Sequence, residues 1–329
     1  MAERATITTK TQIGAEATAG TGVAAGKWLP SLDGTSSLQG NMSDIRAGGV
    51  KFPTGSLLGQ EWTTTKLDGV PSYDEITYML SSILAKVSPS TSDTTAKTWT
   101  YAPSSSAEDT IQTYTIETGS SVRAQKSVYN FCSDFSLSGD RSNTKVSGTF
   151  VGKQFTDGIT ITNSPTTVGS QVLLMPNEVT IYSDSTSGGL GSTKLSRVLN
   201  WSIDISTVRS PLWVVDSSET SWSVPVEGAF DATLKLTLEA DAAGMGALTY
   251  MRANTKRFIR VIATSPQLAG ATTAYYGLTW DMCAVVSGVP GDLKDQDGVY
   301  AVEWTFKMVH DSTWGKAMNV ALVNKTASL

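Results

Sequence analysis

The sequence has little of the residue types on which most enzymes and metal proteins depend. It contains one histidine and two cysteines in 329 residues. A single imidazole disfavours zinc sites and most acid–base catalysis. Two cysteines exclude a disulfide scaffold and a zinc ribbon. We therefore expect a protein that is not an enzyme and that carries no cofactor and no metal.

Charged residues are also scarce. They make up 17% of the chain, and 25 Lys and Arg against 30 Asp and Glu give a net charge of −5. Soluble domains usually carry about 25% charged residues. Without a basic excess, the chain lacks the electrostatic footprint of a protein that grips nucleic acid phosphates.

Long hydrophobic runs are missing as well. The longest apolar runs, residues 172–175 and 212–215, are far too short to cross a bilayer. No apolar segment typical of a secretory signal follows the first residues. These features predict a protein that folds in a reducing cytoplasm and does not enter a membrane. In that setting Cys132 and Cys283 are expected to be buried thiols rather than a disulfide.

Serine and threonine, in contrast, make up about a quarter of the chain. From residue 98 onward, short β-rich segments alternate with Gly, Ser, Asp and Pro turns. The predicted fold is mainly β. Residues 1–26 are small and polar, so we expect an arm that becomes ordered only on a neighbour. The glycine-rich residues 33–60 predict a protruding loop, and residues 311–329 a C-terminal arm.

One helix is predicted over about residues 72–87. Ser72 and Glu75 have the spacing of a capping box. Apolar residues then recur every three or four positions from Ile76 to Val87, which gives one apolar face. We expect this helix to lie flat against a sheet.

The order of elements repeats along the chain. Both halves run strand, helix, strand, and then two long strands. The sequence Ile-Thr-Tyr-Met beginning at Ile76 matches Leu-Thr-Tyr-Met beginning at Leu248, so the predicted alignment places Ile76 on Leu248. So short a match can arise by chance, but the shared element order favours a duplication.

A search for chemistry finds no catalytic constellation. His310 lies beside Asp311 without an activated nucleophile. Asp292, Asp295 and Asp297 could hold a calcium ion, but their spacing fails the EF-hand pattern and favours a solvated hairpin turn. The nine tryptophans and ten tyrosines could form sugar-binding platforms, although packing between strands is favoured.

Several stretches resemble the tail tube (major tail) proteins of long, flexible-tailed bacteriophages. The resemblance spans nearly the whole chain and depends on the order of its motifs. These are residues 27–34 (KWLPSLDG), 48–55 (GGVKFPTG), 66–75 (KLDGVPSYDE), 99–104 (WTYAPS), 112–117 (QTYTIE), 297–304 (DGVYAVEW) and 313–316 (TWGK).

The resemblance implies a β-sandwich or barrel with a flanking helix, assembled into stacked rings around a DNA channel. Most such proteins have one tail-tube domain and form six-subunit rings, whereas some have two and form trimers with pseudo-sixfold symmetry. The duplication favours the second group. The first tail-tube domain would then span positions 27–165 and the second positions 175–310, with a linker at 166–174.

The same resemblance suggests roles for single residues. The arms and the loop would join ring to ring, with Trp28, Lys51, Phe52 and Trp314 as contact candidates. Asp204 and Glu239 are candidates for acids that line the channel, where an acidic surface would not retain DNA.

The expected partners are further copies of the chain, a tape measure protein and the proteins at the tube ends, with duplex DNA passing through without specific binding. The expected location is the virion tail, after assembly in the host cytoplasm. An extracellular carbohydrate-binding or adhesin-like β-sandwich is the alternative.

Overall fold

The computed structural model describes residues 6–168, 171–206, 208–291, 293–296 and 298–329. The prediction of a mainly β protein is confirmed, because most of the regular structure consists of strands.

The strands are β1 (Lys10–Ala15), β2 (Lys27–Trp28), β3 (Leu32–Ile45), β4 (Gly55–Gly69), β5 (Ser90–Thr91), β6 (Lys97–Tyr101), β7 (Tyr114–Gly119), β8 (Ala124–Asp140), β9 (Thr144–Gly152), β10 (Thr156–Ile159), β11 (Thr166–Thr167), β12 (Val179–Asp184), β13 (Val198–Ser206), β14 (Arg209–Pro211), β15 (Pro225–Glu227), β16 (Asp231–Glu239), β17 (Arg257–Leu268), β18 (Tyr275–Val286), β19 (Lys294–Gln296), β20 (Val299–Met308) and β21 (Met318–Asn324). The helices are α1 (Ile76–Ile83) and α2 (Ala247–Arg252), with short 3-10 turns at Thr6–Thr8, Pro176–Glu178, Ser187–Gly189 and Gly244–Gly246.

The two halves of the chain repeat one pattern of strand pairing. In the first half β3 pairs with β4, β4 with β9, β9 with β8, β8 with β7, and β7 with β1. In the second half β13 pairs with β16, β16 with β20, β20 with β18, β18 with β17, and β17 with β12. All of these pairs are antiparallel, and in chain order each half places its helix after the third strand of its set. The counterparts are therefore β1 and β12, β3 and β13, β4 and β16, β7 and β17, β8 and β18, and β9 and β20.

The alignment of the two halves differs by one position from the predicted one in this region. Helix α1 begins at Ile76 and α2 at Ala247, so Ile76 corresponds to Ala247 and not to Leu248. In β4 the buried side chains are Thr63, Thr65 and Leu67, and the same alignment carries them to the buried Leu234, Leu236 and Leu238 of β16. An error of one position matters because it would turn every side chain of a strand to the other face.

Two strand pairings join the halves. Residues 135–140 of β8 pair with residues 200–205 of β13, which makes one sheet of β3, β4, β9, β8, β13, β16 and β20. Near the C-terminus, β21 lies between β18 and β6 and so connects the second half to the first. The buried core is correspondingly one cluster that draws on both halves.

The segments predicted as arms and linker are integrated into the fold. β1 pairs with β2 and β7, and its Ile13 is fully buried, so the prediction of an N-terminal arm over 1–26 is wrong for this strand. β21 likewise occupies residues 318–324 of the predicted arm at 311–329, so that prediction is wrong for this strand. Within the predicted linker, β11 pairs with β2, and Val172 and Leu174 are buried. The buried residues of these segments pack against strands that are distant in sequence, which local sequence patterns do not reveal.

The helix is shorter than predicted, and the capping box is wrong. All eight residues of α1 are buried, so it packs with its whole circumference rather than one face. The Ser72 hydroxyl has no hydrogen-bond partner among the described residues. Glu75 turns instead to Ser31, whose amide donates to Oε1 at 3.2 Å and whose hydroxyl donates to Oε2. Burial raises the pKa of Glu75 to about 7.

Candidate assembly surface

The hairpin of β3 and β4 extends beyond the rest of its sheet. β3 and β4 pair along residues 32–45 and 55–69, whereas β9 covers β4 only from Thr63 onward. Large apolar side chains along the hairpin are exposed; these are Leu38, opposite Thr63, and, on the outer part, Met42, Ile45, Val50, Phe52, Leu57 and Leu58. An apolar surface of this kind is typical of an interaction site.

The prediction of a loop over residues 33–60 is wrong, because most of this segment forms the two strands of the hairpin. Only residues 46–54 form a connection, in which Gly49 has a φ of 79° and the Thr54 amide donates to Ile45 O at 2.7 Å. Two of the predicted contact residues lie here. Phe52 is 70% exposed, and Lys51 Nζ lies 6.0 Å from the centre of its ring. The glycines thus mark a tip between two long strands.

The counterpart hairpin in the second half, unlike that of β3 and β4, has its tip covered by the rest of the chain. β13 and β16 continue into the ribbon of β14 and β15, and the loop between them lies against the first half. Trp222 is fully buried there and donates from Nε1 to Gly152 O at 3.0 Å. Its ring lies 4.6 Å from that of Tyr129 and 5.3 Å from that of Phe131, between centres. Trp222 therefore anchors this hairpin within the chain, whereas the tip of the other hairpin stays exposed.

A buried ion pair holds the base of the same ribbon. The Arg209 side chain is 2% exposed, and its Nη2 donates to Glu227 Oε1 at 3.0 Å. Its Nη1 donates to Ile83 O, at the end of α1, at 2.8 Å, and its Nη2 also donates to Asp109 O. Desolvation lowers the pKa of Arg209, but these acceptors compensate the buried charge. The ribbon is thereby fixed to the helix of the first half.

One face of the shared sheet is polar along its length. Side chains on alternate strand positions point away from the core, and on this face they include seven acids and four lysines: Asp33, Asp68, Asp140, Asp204, Asp231, Glu239, Glu303, Lys66, Lys145, Lys235 and Lys307. The face thus carries an excess of negative charge.

Both predicted channel acids lie on this polar face. Asp204 accepts hydrogen bonds from Ser136 Oγ at 2.6 Å and Ser202 Oγ at 2.9 Å, at the junction of β8 and β13. Glu239 accepts from Arg197 Nη1 at 2.7 Å. The structure brings the two together on one surface, although each already has partners within the chain.

The two predicted tryptophan contacts have neighbours within the chain. Trp28 is half-buried in β2, with Lys10 Nζ 5.3 Å from its ring centre. Trp314 is half-buried and packs edge-on against Phe258 with ring centres 5.9 Å apart. All nine tryptophans are buried or half-buried, which supports packing rather than sugar-binding platforms.

Three residues that matter for the exposed and covered hairpins are not singled out by the sequence: the exposed Leu38 and Tyr300 and the buried Trp222. Tyr300 is 70% exposed beside the turn after β19. A usable signal existed for Trp222, because a tryptophan between polar residues in a long strand connection needs a packing partner.

The residues considered for chemistry are dispersed or engaged. His310 lines an open groove of about 620 Å3 with Glu108, Asp109 and Glu227, but Glu227 is paired with Arg209. Among the described residues no group of three or more His, Cys, Asp and Glu side chains is placed to hold a metal ion. Asp292 and Asp297 of the considered calcium site lie outside the described residues. Cys132 and Cys283 are buried free thiols, as predicted.

No protein-family model matches this chain, and no curated protein matches it. Neither helix in the described part of the chain has the length and apolar character needed to cross a membrane.

Proposed function

We propose that this chain is a structural subunit of a bacteriophage tail tube, with two tandem tail-tube domains and three chains in each ring. The observation that carries the proposal is the repeated pairing pattern of the two halves, joined edge to edge through β8 and β13. Two copies of one unit in a shared sheet are what a pseudo-sixfold ring of three chains requires.

The polar face supports a channel. A ring of such sheets closes into a barrel and removes free edges. If the face with Asp204 and Glu239 lines the bore, its acids repel phosphates that are spaced at one charge per about 1.7 Å of duplex. DNA then passes without being held, and the tape measure protein occupies the same bore before ejection.

The exposed hairpin supports stacking of rings. The apolar side chains of its outer part, residues 42–58, are accessible in the isolated chain. A neighbouring ring is the partner that would bury them, and many small contacts of this kind give a tube its avidity.

Electron microscopy of purified protein over a range of concentrations tests the proposal, together with particle mass. We expect hollow rings and stacked tubes with three chains per ring. Six chains per ring would contradict the stoichiometry, and the second half would then be an appended domain. A protein that remains a monomer at every concentration, and is found in no virion tail, would contradict the tube function.

A glycan array addresses the alternative of a carbohydrate-binding or adhesin-like protein. The tube proposal predicts no selective binding to the array. Selective glycan binding together with a monomeric state would favour the alternative.

A further inference from the structure

The junction between the two halves provides a template for a contact between chains. Within one chain, residues that pair directly opposite each other form rows that run across β9, β8 and β13. Leu137 of β8 pairs with Val146 of β9 on one side and with Ile203 of β13 on the other. All three side chains are at most 1% exposed. This row shows what a completed edge-to-edge junction buries.

The counterparts of this row lie at the two free ends of the same sheet. Thr63 of β4 pairs with Leu38 of β3, and Leu234, the counterpart of Thr63 in β16, pairs with Ile203 of β13. Leu38 therefore corresponds to Ile203. Leu67 pairs with Gly148 and Leu238 with Val302, so Gly148 corresponds to Val302. Two positions earlier in each strand, Val146 corresponds to Tyr300. Tyr300 pairs with Asp295 of β19, which therefore takes the place of Leu137.

Both ends of the sheet are uncovered. Among the described residues β3 pairs only with β4, and β19 only with β20. Leu38 is 51% exposed and Tyr300 70% exposed, although their counterparts Ile203 and Val146 are buried. Val289 and Leu293, next to β19, are also exposed. Within the described chain, each end thus lacks the strand that the internal junction supplies.

We propose that β19 of one chain pairs antiparallel with β3 of a second copy, in the register that β8 and β13 use within the chain. Asp295 then lies opposite Leu38, Lys294 opposite Gln39, and Gln296 opposite Ser37. The two chains meet head to tail, a heterologous contact that closes into a ring where its rotation permits. Closure at three copies rests on the proposed function, whereas the register follows from the repeat.

Asp295 is the one departure from the template. Its carboxylate accepts from the Gly298 amide at 3.2 Å in its own turn. A charged side chain on a free edge strand hinders unspecific pairing with other edges. In the proposed contact Asp295 occupies the position that the apolar Leu137 occupies in the internal junction. Asp295 therefore makes association between chains weaker and reversible. Asp295→Leu is therefore expected to lower the concentration at which rings form.

Cysteine cross-linking tests the register. Directly opposite residues have Cβ atoms about 4.5–5.5 Å apart, and adjacent pairs alternate between two spacings. Two matched variants are made, Ser37→Cys with Gln296→Cys and Leu38→Cys with Asp295→Cys. Leu38→Cys with Gln296→Cys is the control with a register shifted by one. Ser136→Cys with Asp204→Cys, opposite each other within the chain, is the positive control and gives a cross-linked monomer.

After oxidation of assembled protein, non-reducing gels should show dimers and trimers for at least one matched variant and little for the shifted control. Rings that cross-link only in the shifted register, or not at all, would overturn this register and leave the tube function standing. A protein that never associates would overturn both. The unmutated chain, treated in the same way, shows whether the buried Cys132 and Cys283 form any cross-links.

Charge at the two apolar positions gives an independent measurement. Leu38→Asp and Tyr300→Asp keep the monomer folded because both side chains are exposed. Each should raise the ring-forming concentration about tenfold or more, since a buried unpaired carboxylate is costly. An unchanged concentration for both variants would contradict the proposal. Circular dichroism checks that the monomers remain folded.

Discussion

The two counterpart hairpins share one pattern of pairing but differ in what covers their tips. The hairpin of β13 and β16 bends its tip onto the first half, where Trp222 and Arg209 become buried. The hairpin of β3 and β4 keeps its tip exposed, with Phe52 70% accessible. Where a neighbouring domain lies in the same chain, the tip has a partner at once. Where the proposed neighbour belongs to another chain, the tip is covered only on assembly.

Removal of the Trp222 side chain should have the largest effect on the isolated chain. Trp222→Ala leaves a cavity against Tyr129 and Phe131 and an unpaired Gly152 carbonyl. We expect a loss of about 3–5 kcal/mol in the free energy of unfolding, measured by urea denaturation. Trp213→Ala, on a half-buried residue of the loop between β14 and β15, is the matched control and should cost less. A loss below about 1 kcal/mol for Trp222→Ala would show that the docking is not an energetic anchor.

Substitution of Arg209 measures how much its buried charge contributes to the docking of the same ribbon. Arg209→Met removes donors from Glu227, Ile83 O and Asp109 O, so the half-buried Glu227 carboxylate loses its cationic partner and keeps only the Asp109 amide. The expected loss is about 3 kcal/mol in the free energy of unfolding. Addition of Glu227→Met should recover part of it, because two apolar groups replace the ion pair. If the double variant is less stable than the single one, the unpaired carboxylate is not the cause.

The pH dependence of stability tests the contact at the base of the free hairpin, where Glu75 accepts a hydrogen bond from Ser31 just before β3. Burial raises the pKa of Glu75 from 4.5 to about 7, so between these values the folded chain binds more protons than the unfolded chain. Stability should therefore fall as the pH rises through this window, by up to about 1.4 kcal/mol per pH unit. Glu75→Gln should flatten this part of the profile. Asp74, whose pKa burial also raises, contributes a slope of the same sign and remains, so an unchanged slope would contradict the assignment to Glu75.

The sequence allowed the element types to be predicted better than their surroundings. Strand content and the existence of the first helix follow from local patterns and were predicted. The Ser72 and Glu75 motif was misleading because Glu75 finds its partner in Ser31, far back along the chain, which no local motif encodes. The sequence alone predicts arms in place of β1 and β21, because strands that pair with them are distant in sequence. The glycines at residues 48–55 suggested a loop, although they serve only to turn a hairpin.

The predicted contact residues of the assembly surface stay predictions. Trp28 and Trp314 both have neighbours inside the chain. Phe52, in the glycine-rich segment, is exposed. Leu38 and Tyr300 stand out only when the two halves are superimposed in register. A sequence alignment wrong by one position puts both on the opposite face.

Shortening of the free hairpin should have the smallest effect on the isolated chain and so separates the two hairpins most clearly. Replacement of residues 41–60 by Asn-Gly joins Gly40 to Glu61, which are paired in β3 and β4, through a turn that suits a tight hairpin. The removed part has no strand partner outside the hairpin among the described residues, so the free energy of unfolding should change by no more than about 0.5 kcal/mol. Stacked tubes should be lost, while single rings, whose proposed β19 to β3 contact uses residues 37–39, should persist. Phe52→Ala is the milder matched variant, and intact tubes from the shortened chain would show that stacking depends on another surface.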